Sequence, residues 1–248
     1  MGKVRQKRIS TGKSYKQCLS ATELLDFEAE SLTKMMTLKW PGPLVRWRDI
    51  IGESARQAKN QGLLDTHVSF EAKDPRAKSS EPAHVIELGA QIAPQGHPIV
   101  TYFFAIGRQA GTSREGLRKL HFDLECTSGG REAKPKSHMQ IAGRLPPKLG
   151  NAGYDKAAFD HLLPDLDKPR IPCLPQSFAL LVHVALLEYY SSDASLEKFV
   201  HSPEWLRIVT IAENRVLKPY FDHGQNWLTS AATEKASFLS GSYGFSAS

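Results

Sequence analysis

Near the N-terminus apolar residues recur at helical spacing. In "SATELLDFEAESLTKMMTL" (20–38), Leu24, Leu25, Phe27, Leu32, Met35 and Met36 form one stripe. Ser20 with Glu23 three residues later is a capping-box pattern, so the helix starts there. "WPGP" (40–43) ends it. A second helix is expected from about 44 to 60, with Trp47, Ile50 and Ile51 as packing residues and Gly62 near its stop.

The period then changes to two. "THVSFEAK" (66–73), "AHVIELGAQI" (83–92), "PIVTYFFAIGR" (98–108), "LRKLHFDLEC" (117–126) and "KSHMQIAG" (136–143) read as five strands joined by turn-rich pieces. Their succession predicts an antiparallel meander. "YFFAI" is apolar at every position, which places its strand centrally, with helices on at least part of its second face. Residues 144–175 are rich in proline and lack periodicity, as in a long ordered connection or a linker. "SFALLVHVALLEYY" (177–190) is almost wholly apolar and predicts a buried helix. A last helix is expected over 202–217, with Ser202 as N-cap, Pro203 at the first position and Pro219 kinking or ending it; "YFDHGQNWL" would add a short turn.

The pattern predicts an α+β protein, with a five-stranded mainly antiparallel sheet flanked by N-terminal helices and a C-terminal helical bundle. The expected organisation is a basic flexible tail (1–17), helices plus sheet (18–145), a proline-rich connection (146–175) and a helical region packed on the sheet (176–240).

Charge refines this picture. Residues 1–22 carry Lys3, Arg5, Lys7, Arg8, Lys13 and Lys16 and no acid, so they account for the whole excess of 32 basic over 26 acidic side chains. Such a tail suits RNA, DNA or an acidic protein partner. The three cysteines, Cys18, Cys126 and Cys173, are far apart and form no C-x-x-C pair, which argues against a zinc ribbon or a disulfide framework. Cysteine usage and the lack of an apolar leader suggest a cytoplasmic protein with no membrane segment.

Candidate chemistry sits on the fourth and fifth strands. Alternation puts Lys119, His121, Asp123 and Glu125 on one face, against Leu120, Phe122 and Leu124. Lys136, His138 and Gln140 share a face of the next strand. Matching the apolar faces brings His121, Asp123 and Glu125 beside His138, Gln140 and Lys136. Two imidazoles supply a general base and a general acid near neutrality, and a lysine supplies a cation for developing negative charge. That set suits metal-free cleavage of an RNA phosphodiester, as in a His-dependent ribonuclease acting within a nucleic-acid-directed protein. His121 and His138 would carry the protons, Asp123 would orient an imidazole, and Lys119 would contact phosphate. Lys136, Gln140, Arg108 and Arg114 would bind substrate. Alternatively, His121, Asp123 and His138 would bind a divalent metal in a metal-dependent nuclease. His67, Ser69 and Glu71 extend the polar face if their strand aligns with it. His183, in an apolar helix, reads as a satisfied core residue.

The competing reading is a non-catalytic interaction or scaffold protein. It would dock through its basic tail or helical C-terminal region, with a solvated polar sheet face. The glycines and arginines of "GRQAGTSREG" (107–116) could hold an anion but lack P-loop order. No nucleophile elbow and no H-E-x-x-H occur.

Overall fold

The computed structural model describes residues 18–72, 84–95, 99–110, 113–125, 137–141, 171–189 and 193–229. The expectations for residues 1–17, for Lys136 and for the connection at 146–170 lie outside them.

Helix α1 (Ala21–Met36) begins where the capping box predicts. Ser20 Oγ accepts from the Glu23 N–H at 3.2 Å, and the Ser20 N–H donates to Glu23 Oε2 at 2.9 Å. A short 3-10 turn (Gly42–Leu44) leads into α2 (Val45–Gln61). Gly62 closes α2 in the left-handed region at φ 67°, where a Cβ would be strained.

Strands β1 (Leu64–Ala72), β2 (His84–Ile92), β3 (Ile99–Ala110), β4 (Ser113–Glu125) and β5 (Ser137–Ile141) pair in chain order, all antiparallel. A two-residue strand, β6 (Ile171–Pro172), adds to β5. The alternation rule could not reveal β6, because two residues show no period. The anion-binding expectation for 107–116 falls on the β3–β4 hairpin and its adjoining strand ends.

Three helices follow among the described residues: α3 (Phe178–Tyr189), α4 (Ala194–Val200) and α5 (Pro203–Thr229). Asp193 caps α4, accepting from the N–H groups of Ser195 and Leu196. Ser202 caps α5, its Oγ accepting from the Trp205 N–H at 3.3 Å. Three expectations need correction. Pro219 does not end the last helix, which continues through "YFDHGQNWL" to Thr229. Helix α3 is buried along one side only: Val184 and Leu187 are 53% and 42% exposed. Ile50 is likewise exposed, whereas Trp47 and Ile51 are buried. The apolar run at 178–187 gave composition without direction, and the neighbouring helices decide which side is covered.

One face of the sheet presents Leu64, Val68, Phe70, Ile86, Leu88, Ala90, Ile92, Val100, Tyr102 and Leu124 to the helices. These residues share a single core with residues of α1 to α5, so the helices before and after the sheet meet on this face. Trp47 Nε1 reaches the Ser69 carbonyl at 2.9 Å and clamps α2 to β1.

Glu28 of α1 is wholly buried in that core. Its Oε1 accepts from the Tyr102 hydroxyl at 2.8 Å and from the Phe178 N–H at 2.9 Å. Burial pushes its carboxyl up to about 7, against the pull of these two hydrogen bonds. Glu28 lies four residues from Leu24 and Leu32, on the apolar stripe itself, and that break in the stripe is its signal in the sequence.

Candidate functional site

The opposite face of the sheet carries the candidate residues in three rows that follow from register. The first runs Asp65, Gln91, Thr101, Asp123, His138, and the second His67, Gly89, Phe103, His121, Gln140. The third runs Ser69, Glu87, Ala105, Lys119. The pairing expected from matched apolar faces therefore places His121 opposite Gln140 and Asp123 opposite His138.

Hydrogen bonds organise the first row. Thr101 Oγ1 donates to Asp123 Oδ1 at 2.7 Å, and His138 Nε2 stands 3.7 Å from Asp123 Oδ2. Gln140 Nε2 is 3.4 Å from His138 Nε2. A carboxylate held by a hydroxyl and facing an imidazole can orient that ring and stabilise its protonated form.

His67 and Glu87 form a second imidazole–carboxylate pair, through His67 Nε2 and Glu87 Oε2. A carboxylate only accepts, so Nε2 carries the proton and Nδ1 of the neutral ring holds the lone pair. Glu87 is completely buried, while the His67 side chain is 19% exposed. Gly89 lies between His67 and Phe103, and a Cβ there would stand 2.1 Å from the Phe103 ring. Glycine thus lets that ring lie across β2, with its centroid 5.9 Å from that of His67.

The expectation of a solvated polar face is overturned. Glu87, Lys119, His138 and Gln140 are buried, as are Val85, Phe103 and Ala105 on the same face. Asp65, His67, Gln91, Thr101, His121 and Asp123 are partly exposed. Alternation distinguishes the two faces of a strand but does not tell a solvated polar face from a buried one.

Arg108 pairs in register with His84 and Glu115, and Arg114 with Gln109, at the far end of the β3–β4 hairpin. They do not share the rows of His121 and Asp123. Among the described residues no three histidine, cysteine, aspartate or glutamate side chains converge to hold a metal ion. His121, Asp123 and His138 therefore make a polar cluster without the convergence that a divalent ion needs. His183 Nδ1 accepts from Trp205 Nε1 at 3.1 Å, in keeping with a satisfied histidine in the helical layer.

Sequence reasoning passed over Glu87. Its signal was a lone acid between the apolar pairs of "VIELGA", where a buried charge needs a partner. Comparison with family models, with curated proteins and with solved structures returns no match. No helix among the described residues is long and apolar enough to cross a membrane.

Proposed function

We propose that the second face of the sheet is an acid–base site acting on nucleic-acid phosphodiesters. Its partly exposed imidazoles, His67 and His121, move protons, and the buried Lys119 lends the face positive charge. The observation carrying this reading is the alignment of His67, His121 and His138 with Asp123, Glu87 and Lys119 in adjacent rows. The chemistry needs a proton acceptor, a proton donor and positive charge, and the rows of this face carry all three. The basic residues 3–16 favour a polyanionic substrate and raise its local concentration.

The described part of the face holds Asp65, Glu71, Glu87 and Asp123 against Lys119. Attraction for phosphate then rests chiefly on the basic leader. The test is cleavage of labelled single-stranded RNA and DNA by the wild type and by His121→Ala/His138→Ala, with and without EDTA, after folding is verified. Cleavage that falls at least about tenfold in the double variant supports the reading. No cleavage of either polymer by the folded wild type rejects it, and loss on adding EDTA reassigns the step to a metal.

The burial of Glu87, Lys119, His138 and Gln140 favours a second reading. Here the polar face is an internal layer that fixes strand register, and the protein is a non-catalytic interaction module. Its contacts would come from the basic leader or from the helical C-terminal region, where Val184, Leu187, Ile211 and Phe221 are exposed. Salt-dependent binding of RNA without cleavage would favour this reading.

A further inference from the structure

We propose that His67, held by Glu87, is the general base of this face. The inference rests on the acid–base reading above and assigns its proton-transfer step. His138 is 2% exposed and too enclosed to meet a substrate atom. The Asp123 carboxylate is engaged by Thr101 and stands beside His138. His67 combines a partly exposed ring with a fully buried carboxylate on Nε2. Among the described residues that is the ring's only hydrogen bond, which leaves Nδ1 for a substrate proton. Glu87 fixes the tautomer and meets the positive charge that appears when Nδ1 is protonated.

The rows set where this base acts. His67 and His121 are three strand spacings apart, roughly 14 Å. That is too far to serve one phosphorus, so the His121–Asp123 region holds a flanking part of the chain being cut. The substrate class is accordingly an extended single-stranded polyribonucleotide rather than a mononucleotide. In the step, Nδ1 of His67 takes the proton of a ribose 2′-hydroxyl as that oxygen forms its bond to phosphorus. The bond from phosphorus to the 5′-oxygen breaks with its electron pair. That oxygen takes a proton from water, and the imidazolium returns its own to solvent.

The experiment measures cleavage of a labelled single-stranded oligoribonucleotide of about ten nucleotides by wild type, His67→Ala, Glu87→Gln and His121→Ala. The expected result is a kcat lower by about a hundredfold or more in His67→Ala with KM little changed. Glu87→Gln, which can still hydrogen-bond the ring, should be intermediate and should shift the acid limb of the pH profile. His121→Ala should act mainly through KM. Equal loss of kcat in all three variants, or full activity in His67→Ala, overturns the assignment.

Should the wild type cleave nothing, the phosphodiester reading falls, and acylation by diethyl pyrocarbonate, mapped by mass spectrometry, then tests His67 alone. His67 reacting faster than His138 in the wild type, and more slowly in Glu87→Gln than in the wild type, supports an activated Nδ1. Indifference to Glu87→Gln, or a protected His67, rejects it.

Discussion

On the helix-facing side of the sheet, Val68, Leu88 and Tyr102 are buried against α1, α2 and α3. On the opposite side Glu87, Lys119 and His138 are buried to a similar degree. The first side gains stability from apolar area, about 25 cal/mol per Å². The second removes charged and polar groups from water, which costs several kcal/mol per ion unless each meets a partner. The same pleat, in the same strands, thus supports a layer that stabilises and a layer whose net contribution depends on pairing.

The largest expected effect breaks this contrast on the polar side. Glu87→Ala leaves the His67 ring without its buried carboxylate and should destabilise the chain by about 3–5 kcal/mol in urea unfolding. Replacing both partners, as Glu87→Leu/His67→Leu, should recover part of that loss. A double variant as weak as the single one would show that the stranded His67 ring contributes little of it.

Glu28 is the ionisable intruder on the apolar side, and it gives the next effect. Its folded pKa, about 7, lies above the ordinary 4.5 of an unfolded chain. Between those values the folded protein keeps a proton that the unfolded chain has released. The contribution of Glu28 is therefore fully present below pH 4.5 and is lost as pH rises through 7. Glu28→Gln should remove this slope, leaving the variant more stable than wild type at pH 8 by something on the order of 3 kcal/mol. Parallel stability profiles from pH 5 to about 8 would refute the burial argument.

Gly89→Ala probes how tightly the two layers are spaced. Its Cβ would meet the Phe103 ring at 2.1 Å and the Thr66 carbonyl at 2.7 Å. Thermal melts should show a loss of about 1–3 kcal/mol, the usual range for overpacking. Phe103→Leu in the same background should recover part of it.

The smallest effect concerns a histidine in the apolar layer. Burial, ahead of His201 nearby, lowers the pKa of His183, and protonation of Nδ1 would break its bond to Trp205. Because the folded value lies below the unfolded one, stability is intact above pH 6.5 and declines as pH falls below it. Trp205 fluorescence should follow that decline, and His183→Gln should blunt it.

Periodicity carried much of this architecture because its rules are local. Ser20 and Glu23 mark a helix start within four residues, and the parity of 119–125 predicts which side chains share a face. Hairpin order then follows from short connections. The environment of each face was less readable. Burial of Lys119 and Glu87 depends on what lies across the sheet, and no residue within β2 or β4 encodes it. Pro219 misled for a similar reason, since a proline's local cost can be met by the packing of a long helix. The pair of His67 and Glu87 joins residues 20 apart, and only register brings them together.

Glu28 also has a kinetic consequence. Strand neighbours in the sheet are neighbours in the chain, so pairing from β1 to β5 needs only short loop closures and can proceed as the chain emerges. The bond from Glu28 to the Phe178 N–H spans 150 residues and closes last in that order. Until α3 is made, α1 carries a carboxylate on its apolar stripe with one of its two partners absent. A nascent chain halted before residue 178 should therefore hold its sheet while its N-terminal helix remains loosely docked, and cooperative unfolding should begin only once both ends of the chain are present.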